Sequence, residues 1–422
     1  MTSPARSAIF STANPHALAT ILEASQTKSI IASRDIFDIA GIKLWARDQP
    51  VSATLQRKLL DRELRNPLES CLMAENGVTA KTLVEAAQAL VERDSPLGTL
   101  LRPHAARIVA EVAHLPLHSV AQLLLTAGQA SKPDSFDHAV QAMALAGALM
   151  IEHGGSTAEL RIAMLCGLLH DLGEMYIDPR YGECDADREL DFVSYQQLVV
   201  HPHIGRLLLT QLTNYPVVVA QAVAEHHERL DGSGYPHSLQ RDGISPLGRL
   251  LAVTEGALAV LRGERPYLAR ISVALRVVPG EYDLGWVGPI ADAARGQPAL
   301  HAQLGIDEVQ ARLARLDAGL QSAHHCADEL AAGTESPSLQ NALALAQHLL
   351  GRLRKGWYAS GLWSADALTA ADAAEVEAIE DELFFRLRSI ERAALLRAGT
   401  ALAADDMAHM QRLCASLGAV GR

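Results

Sequence analysis

The sequence predicts a mainly α-helical protein in which a small strand-containing region precedes a helical bundle. Of its 422 residues, 49% are apolar and 4% are aromatic, so the chain can bury substantial aliphatic cores. Alanine and leucine are abundant and favour helices. Apolar residues recur at three- and four-residue steps through most of the chain, which is the period of an amphipathic helix.

Four regions follow one another along the chain. Residues 1–75 form a predicted small α/β region, because segments at 29–32, 35–38 and 41–45 have strand character and are broken by a glycine turn. Residues 76–130 form a helical connector, and residues 131–290 form a helical domain that carries the polar motifs described below. Residues 300–422 form a helical C-terminal region with a regulatory or dimerisation role as the working hypothesis.

The C-terminal region contains an apolar run that could form the seam of a homodimer or pack against its own chain. The run covers barely two heptads, which is too short for a coiled coil and favours packing within the chain. Its members are Val376, Ile379, Leu383, Leu387 and Ile390.

The overall composition excludes some classes of protein. A formal net charge of −12 argues against a DNA-binding or anionic-membrane surface. Five scattered cysteines without a Cys-x-x-Cys pair suit a reducing compartment. The chain shows no signal-peptide pattern and no uncharged apolar stretch of about 18 residues, so we expect a cytoplasmic protein without a membrane span.

The central region holds histidines and carboxylates in an order that indicates a two-metal site. Neutral imidazole and ionised carboxylate suit iron, manganese and zinc. In the adjacent pair His170-Asp171, the histidine can bind one metal while the carboxylate bridges to a second. His138 and His201 are predicted on other helices. Each histidine alone is more simply a structural residue, but the group together makes hydrolysis by metal-activated water the leading hypothesis.

Two further motifs sharpen this hypothesis. Adjacent side chains on a helix diverge by about 100°. His226 and His227 can therefore both bind one metal only where a helix ends. The run Asp-Gly-Ser-Gly-Tyr-Pro at 231–236 predicts such an end. Glu255 lies in the apolar run 250–260, where a carboxylate needs a metal or hydrogen bonds, or else a place on the exposed face. The pattern leaves these two interpretations of Glu255 evenly balanced.

These motifs, in this order, resemble the HD-GYP family, the metal-dependent phosphodiesterases of cyclic di-GMP within the HD superfamily. The resemblance covers approximately residues 130 to 275. It implies an all-helical bundle with two divalent metal ions, usually iron or manganese. It is carried by His138, His170-Asp171, His201-Pro202 with Gly205, the runs 225–229 and 231–236, and Arg265-Pro-Tyr267.

The resemblance also implies a role for each matching residue. One metal would bind His138, His170, Asp171 and Glu255, and the other would bind Asp171, His201, His226 and His227. Asp134 takes the place of a ligand to a third metal found in some members. Asp171, Glu174 and Arg229 become the candidate catalytic residues. The candidate substrate-binding residues are Arg229, Gly234, Tyr235, Pro236 and Arg265.

The chain departs from the family pattern at three positions. Glu174 stands where the family has lysine, Glu255 where it has aspartate, and Leu268 where a basic residue is common. The first hypothesis is a phosphodiesterase that converts cyclic di-GMP to pGpG and, if that product is cleaved again, to GMP. The alternative is a catalytically weak homologue that senses cyclic di-GMP or docks a GGDEF-type cyclase. A third hypothesis is a hydrolase whose substrate is another phosphoester.

Overall fold

The protein is described by a computed structural model that covers residues 10–181, 192–263, 267–295, 297, 304–359, 370–399 and 403–420. Helices dominate these residues, and the named strands lie within the first 75 residues, so the predicted mainly α fold is confirmed. The chain divides into two compact units, residues 1–190 with 197–226 and residues 191–196 with 227–422. The four region boundaries drawn from the sequence stay predictions.

The N-terminal region forms two small antiparallel sheets, as its strand pattern predicts. Strand β1 pairs with β4, and β2 pairs with β3. Gly41, with φ +85°, turns the chain between β2 and β3 in a conformation that side chains disfavour. The elements are α1 (Pro15–Ala24), β1 (Ile30–Ala32), β2 (Ile36–Phe37), β3 (Lys43–Trp45), α2 (Ala53–Leu59) and β4 (Leu72–Ala74).

Helices occupy most of the chain between residues 80 and 225. Helix α7 is buried along most of its length, which its apolar composition explains. Ser156 and Glu159 form a capping box that fixes the start of α8. The helices are α3 (Ala80–Glu92), α4 (Pro96–Leu101), α5 (Ala105–Val112), α6 (Ser119–Ser131), α7 (Pro133–Glu152), α8 (Thr157–Leu169), α9 (Phe192–Leu198), α10 (His201–Leu212) and α11 (Val217–Glu225).

The second unit is built from long helices around an aliphatic core. Trp357 is buried in it and donates its indole N–H to Asp317 at 3.1 Å. The apolar run of residues 376–390 is buried in this core, as the interpretation of packing within the chain predicts. The helices are α12 (Pro246–Arg262), α13 (Leu268–Ala274), α14 (Leu284–Arg295), α15 (Ile306–Gly333), α16 (Pro337–Ala359), α17 (Ala370–Ala398) and α18 (Ala404–Val420).

Among the described residues, no helix combines the length and the apolar character that a membrane span needs.

A buried hydrogen bond joins the N-terminal region to the 3-10 turn Leu172–Tyr176. The hydroxyl of Tyr176 donates to Oε1 of Glu69 at 2.7 Å, and both side chains are buried. Burial raises the pKa of Glu69, although the bond from Tyr176 opposes the shift. The side-chain amide of Asn14 donates to the carbonyl of Tyr176 at 3.1 Å, and the Phe10 ring meets the Tyr176 ring edge to face. The N-terminal region therefore supports the turn that follows α8.

We expect Tyr176→Phe to lower the free energy of unfolding by about 1–3 kcal/mol, because it leaves the buried Glu69 carboxyl without its donor. Urea unfolding followed by circular dichroism measures this loss. Tyr358→Phe is the matched control, since the Tyr358 side chain is 41% exposed. It should change stability by less than about 0.5 kcal/mol. Equal losses in the two variants would show that the buried bond does not stabilise the fold.

Candidate metal centre

The first unit brings one carboxylate and four imidazoles together. His170 is the first residue after α8 and Asp171 follows it, with its two carboxylate oxygens facing different pairs of rings. The Nε2 atoms of His138 and His170 lie 3.4 and 3.0 Å from Oδ2. The Nε2 atoms of His201 and His226 each lie 3.4 Å from Oδ1. Residues that are far apart in sequence thus converge on one carboxylate.

Backbone carbonyls fix the orientation of three of these rings. The Nδ1 atoms of His170, His201 and His226 each lie against the carbonyl oxygen three residues earlier, at 2.6, 2.8 and 2.6 Å. A carbonyl oxygen only accepts hydrogen bonds, so Nδ1 carries the hydrogen in each ring. The Nε2 atom of the neutral ring is then an acceptor that faces Asp171. Metal-binding histidines are held in this way by an outer hydrogen bond.

The arrangement concentrates electron pairs in a buried space. The Nε2 atoms of His138 and His170 lie 3.2 Å apart, and those of His201 and His226 lie 3.1 Å apart. All four rings are at most 3% exposed. Buried nitrogen and oxygen acceptors at these distances fit a divalent transition metal.

Small residues allow the helices to approach closely enough for this convergence. A Cβ atom on Gly167 of α8 would lie 2.5 Å from the carbonyl oxygen of Ala142 on α7. A Cβ atom on Gly173, in the turn after Asp171, would overlap the carbonyl oxygen of His201 on α10. Gly205 similarly admits a side chain of α11. The glycine of the His-Asp-x-Gly motif therefore has a packing role in holding His201 near Asp171.

Two predicted residues of the first unit lie beside this cluster. Asp134 is exposed on the first turn of α7, one turn before His138, and is not part of the cluster. Its role as a ligand to a third metal stays a prediction. Glu174 is 7% exposed, and its N–H donates to the carbonyl of Asp171 at 2.9 Å. The side chain of Glu174 therefore does not face solvent.

The second unit begins at His227, which stacks on the ring of Tyr235 with centroids 4.5 Å apart. The backbone N–H of Tyr235 donates to the carbonyl of His227 at 3.2 Å. A Cβ atom on Gly234 would lie 2.5 Å from the backbone nitrogen of Arg229, so only glycine lets the chain fold back here. Pro236 follows through a cis peptide bond. The Gly-Tyr-Pro segment is thus closed onto the histidine run.

Sequence reasoning missed the residue that anchors this loop. The carboxylate of Glu228 is buried and accepts the backbone N–H groups of His237 and Leu239 at 2.7 and 2.8 Å. Burial raises its pKa, and these backbone bonds oppose the shift. The only sequence signal was its position between the histidine pair and Arg229. Its contacts depend on loop geometry that no spacing rule supplies.

The remaining predicted site residues of the second unit have varied surroundings. The guanidinium of Arg229 lies 4.8 Å from the centre of the Tyr282 ring, and Nη1 donates to the Glu228 carbonyl at 3.0 Å. Glu255 is 2% exposed, with Nη2 of Arg262 at 3.9 Å, so the exposed-face interpretation of Glu255 is wrong. Leu268 is a buried apolar residue. Arg265 lies outside the described residues.

Comparisons with known proteins agree with this geometry. Residues 120–283 match the HD domain family model. A cyclic di-GMP phosphodiesterase of Pseudomonas aeruginosa is 29% identical over 221 residues, which cover 52% of this chain and 50% of the relative. A 3'3'-cGAMP-specific phosphodiesterase of Vibrio cholerae is 27% identical over 243 residues, which cover 55% and 52%. A cyclic di-GMP phosphodiesterase response regulator of Xanthomonas campestris is 34% identical over 128 residues, which cover 29% and 32%.

One solved structure, an HDG"Y"P protein from Bdellovibrio bacteriovorus, has a TM-score of 0.36 at 16% identity and covers 65% of this chain and 98% of that chain. The chain spans about half the length of the first two relatives named above. The matched segment contains the histidine-aspartate cluster, whose nitrogen and oxygen atoms are placed so that they could hold metal ions. Over this segment the chain is similar to HD domains, and the names of the similar proteins support the resemblance to the HD-GYP family.

We expect Gly173→Ala to lower metal affinity about tenfold or more, because the new methyl group displaces the backbone of His201 from Asp171. Metal content after anaerobic loading, measured by elemental analysis, tests this. Gly128→Ala is the control, since no atom lies within 4 Å of its Cβ position in α6. It should leave metal content unchanged and favour the helix slightly. Full loading of the Gly173 variant would contradict the packing role.

Proposed function

We propose that the chain hydrolyses a phosphodiester bond of cyclic di-GMP, giving linear pGpG and then GMP, as part of bacterial second-messenger signalling. The observation that carries the proposal is the convergence of four imidazole Nε2 atoms on the Asp171 carboxylate. The names of the similar proteins, which include phosphodiesterases of cyclic di-GMP, support the choice of substrate.

The cofactor in this proposal is a pair of iron or manganese ions. Two such cations supply a water of lowered pKa and neutralise charge on the phosphoryl oxygens. In the first unit, His138 and His170 would hold one ion on the Oδ2 side of Asp171. His201 and His226 would hold the other on the Oδ1 side. The HD-GYP resemblance adds His227, Glu255 and, for a third ion, Asp134.

The chain itself contributes orientation, charge and exclusion of water. The backbone bonds to Nδ1 keep three rings directed at Asp171, so the ligands do not need to rearrange on binding. Burial of the rings keeps bulk water from the space between them. Arg229 retains its charge over Tyr282 and is the proposed phosphate contact. Tyr235, half-buried beside His227, is proposed to line the entrance with Gly234 and Pro236.

Anaerobic assays with Mn(II) or Fe(II) test the proposal, with cyclic di-GMP and 3'3'-cGAMP as parallel substrates. We expect hydrolysis of cyclic di-GMP to be the faster reaction. Asp171→Asn should lower kcat/KM about a thousandfold, because it removes the charge shared by both ligand pairs. The control Asp137→Asn makes the same chemical change at an exposed position of α7 and should leave the rate unchanged. A metal-loaded chain that hydrolyses neither dinucleotide would refute the proposal and favour the sensor hypothesis.

Glu174 is the residue on which the rate of this reaction is proposed to depend. Its buried carboxyl follows Asp171 by three residues, where the family has a cation. Replacing the anion should help an anionic substrate to bind, so we expect Glu174→Gln, and more strongly Glu174→Lys, to raise kcat/KM by about tenfold. Steady-state kinetics at fixed metal loading measure the change. Equal rates for the wild type and Glu174→Gln would remove Glu174 as the cause of slow turnover.

The proposal includes interactions beyond the substrate. A GGDEF-domain protein is proposed to dock on the Gly234–Pro236 loop, and the chain is proposed to form a homodimer. We place the reaction in the cytoplasm, and the presence of free thiols at Cys71, Cys166, Cys326 and Cys414 supports a reducing compartment. Cys184 lies outside the described residues.

A further inference from the structure

The second unit contains a cavity of about 820 Å³ that lies among α15, α17 and α18. Its volume is within the range of small-molecule sites. Charged groups and one aromatic ring line it, and the metal-site residues do not. The lining residues that matter for binding are Arg312, Arg315, Arg412, Glu380, Asp381 and Phe384.

Among these residues, Glu380 is buried without a hydrogen bond from the described residues that would stabilise its carboxylate. Its side chain is 1% exposed, and neither carboxylate oxygen accepts a hydrogen bond within the described part of the chain. The nearest cation is Nη1 of Arg312, 4.0 Å from Oε2, which is too far for a hydrogen bond. Ser416 Oγ, also in the cavity lining, is buried and lacks a hydrogen-bond partner in the same described part. Buried polar atoms of this kind are costly unless a bound molecule supplies the partners.

The arginines of the cavity differ in how far they are neutralised. Arg412 donates to Glu329 at 2.7 Å. Asp381 is occupied by Arg270, whose Nη2 lies at 3.0 Å. Arg315 forms no ion pair among the residues that the structure describes, and Arg312 lies three positions earlier on the same face of α15. Nη2 of Arg312 lies 3.7 Å from Oε1 of Glu308, so Arg312 is held by two long ion pairs. The cavity therefore offers Arg315 and, when these long pairs loosen, Arg312 to an anion, and it offers the oxygens of Glu380 to N–H donors.

We propose that this cavity binds a guanine nucleotide. The Watson–Crick edge of guanine carries two adjacent N–H donors, which match the two oxygens of a carboxylate such as Glu380. The phosphate of the nucleotide matches the planar guanidinium groups of Arg312 and Arg315. Phe384 supplies an aromatic face for the base. A free amino acid also joins a donor to an anion, but it leaves most of 820 Å³ unfilled.

This inference does not depend on the metal centre, so the test uses the full chain after chelator treatment. Calorimetry should show saturable binding of GMP, with AMP and inorganic phosphate at least about tenfold weaker, since neither presents the paired donors. Arg315→Gln should weaken the binding of both GMP and phosphate about tenfold. Glu380→Gln should weaken the binding of GMP about tenfold and spare phosphate. Hydrolysis is assayed separately, so its absence would leave this result unaffected.

Two control variants make the same chemical changes at exposed positions of α17 outside the cavity lining, Glu375→Gln and Arg397→Gln. Both should bind GMP as the wild type does, and circular dichroism confirms that every variant folds. Equal affinities for GMP and AMP would overturn the assignment to guanine. GMP binding that survives both Glu380→Gln and Arg315→Gln would place the nucleotide elsewhere and overturn the site. Absence of GMP binding in the wild type would also overturn it.

Discussion

The buried carboxylate of Asp171 is the constraint on which the first unit is organised. An anion with little access to water needs a compensating cation, and the acceptor Nε2 atoms of His138, His170, His201 and His226 that surround it would be ligands for one. His170 and His226 donate from Nδ1 to α8 and α11, and His201 of α10 donates to Leu198 of α9, so each ring is fixed relative to a helix. The positions of the helices and the geometry of the site are consequently set together. Gly167, Gly173 and Gly205 are small because bulkier residues would separate these backbones.

The second unit holds the Gly-Tyr-Pro loop by a different set of contacts. The N–H of Leu230 donates to the carbonyl of Glu281 at 2.9 Å, and the carboxylate of Glu281 accepts from Arg386 of α17 at 3.2 Å. The Tyr235 ring meets Tyr195 edge to face at 5.8 Å, and Arg392 of α17 lies 5.2 Å from the centre of the Tyr195 ring. Helix α17 thus takes part in shaping the surroundings of the Gly-Tyr-Pro segment.

The sequence predicts the helical fold, the N-terminal strands and the convergence of the histidines, because each rests on a periodic or motif signal. It leaves the surroundings of Glu255 open, since a charged residue in an apolar run can face solvent or the interior, and it does not place the side chain of Glu174. Only tertiary packing decides the two placements, and it buries both side chains. The contacts of Glu228 arise from loop geometry and the burial of Glu380 arises from helix packing, so neither follows from residue spacing in the sequence.

Helix α17 runs unbroken for 29 residues from Ala370 to Ala398. Glu380 lies on it at the cavity, and Arg392, at the Tyr195 contact, follows twelve residues later, about 18 Å along the axis. A helix transmits displacement along its length because its backbone hydrogen bonds resist local stretching. The cavity and the Gly-Tyr-Pro segment therefore share one mechanical element. If the binding of a molecule shifts α17, it also changes the free energy of the loop contacts. By thermodynamic linkage, a change in the loop contacts then changes the affinity for that molecule by the same free energy.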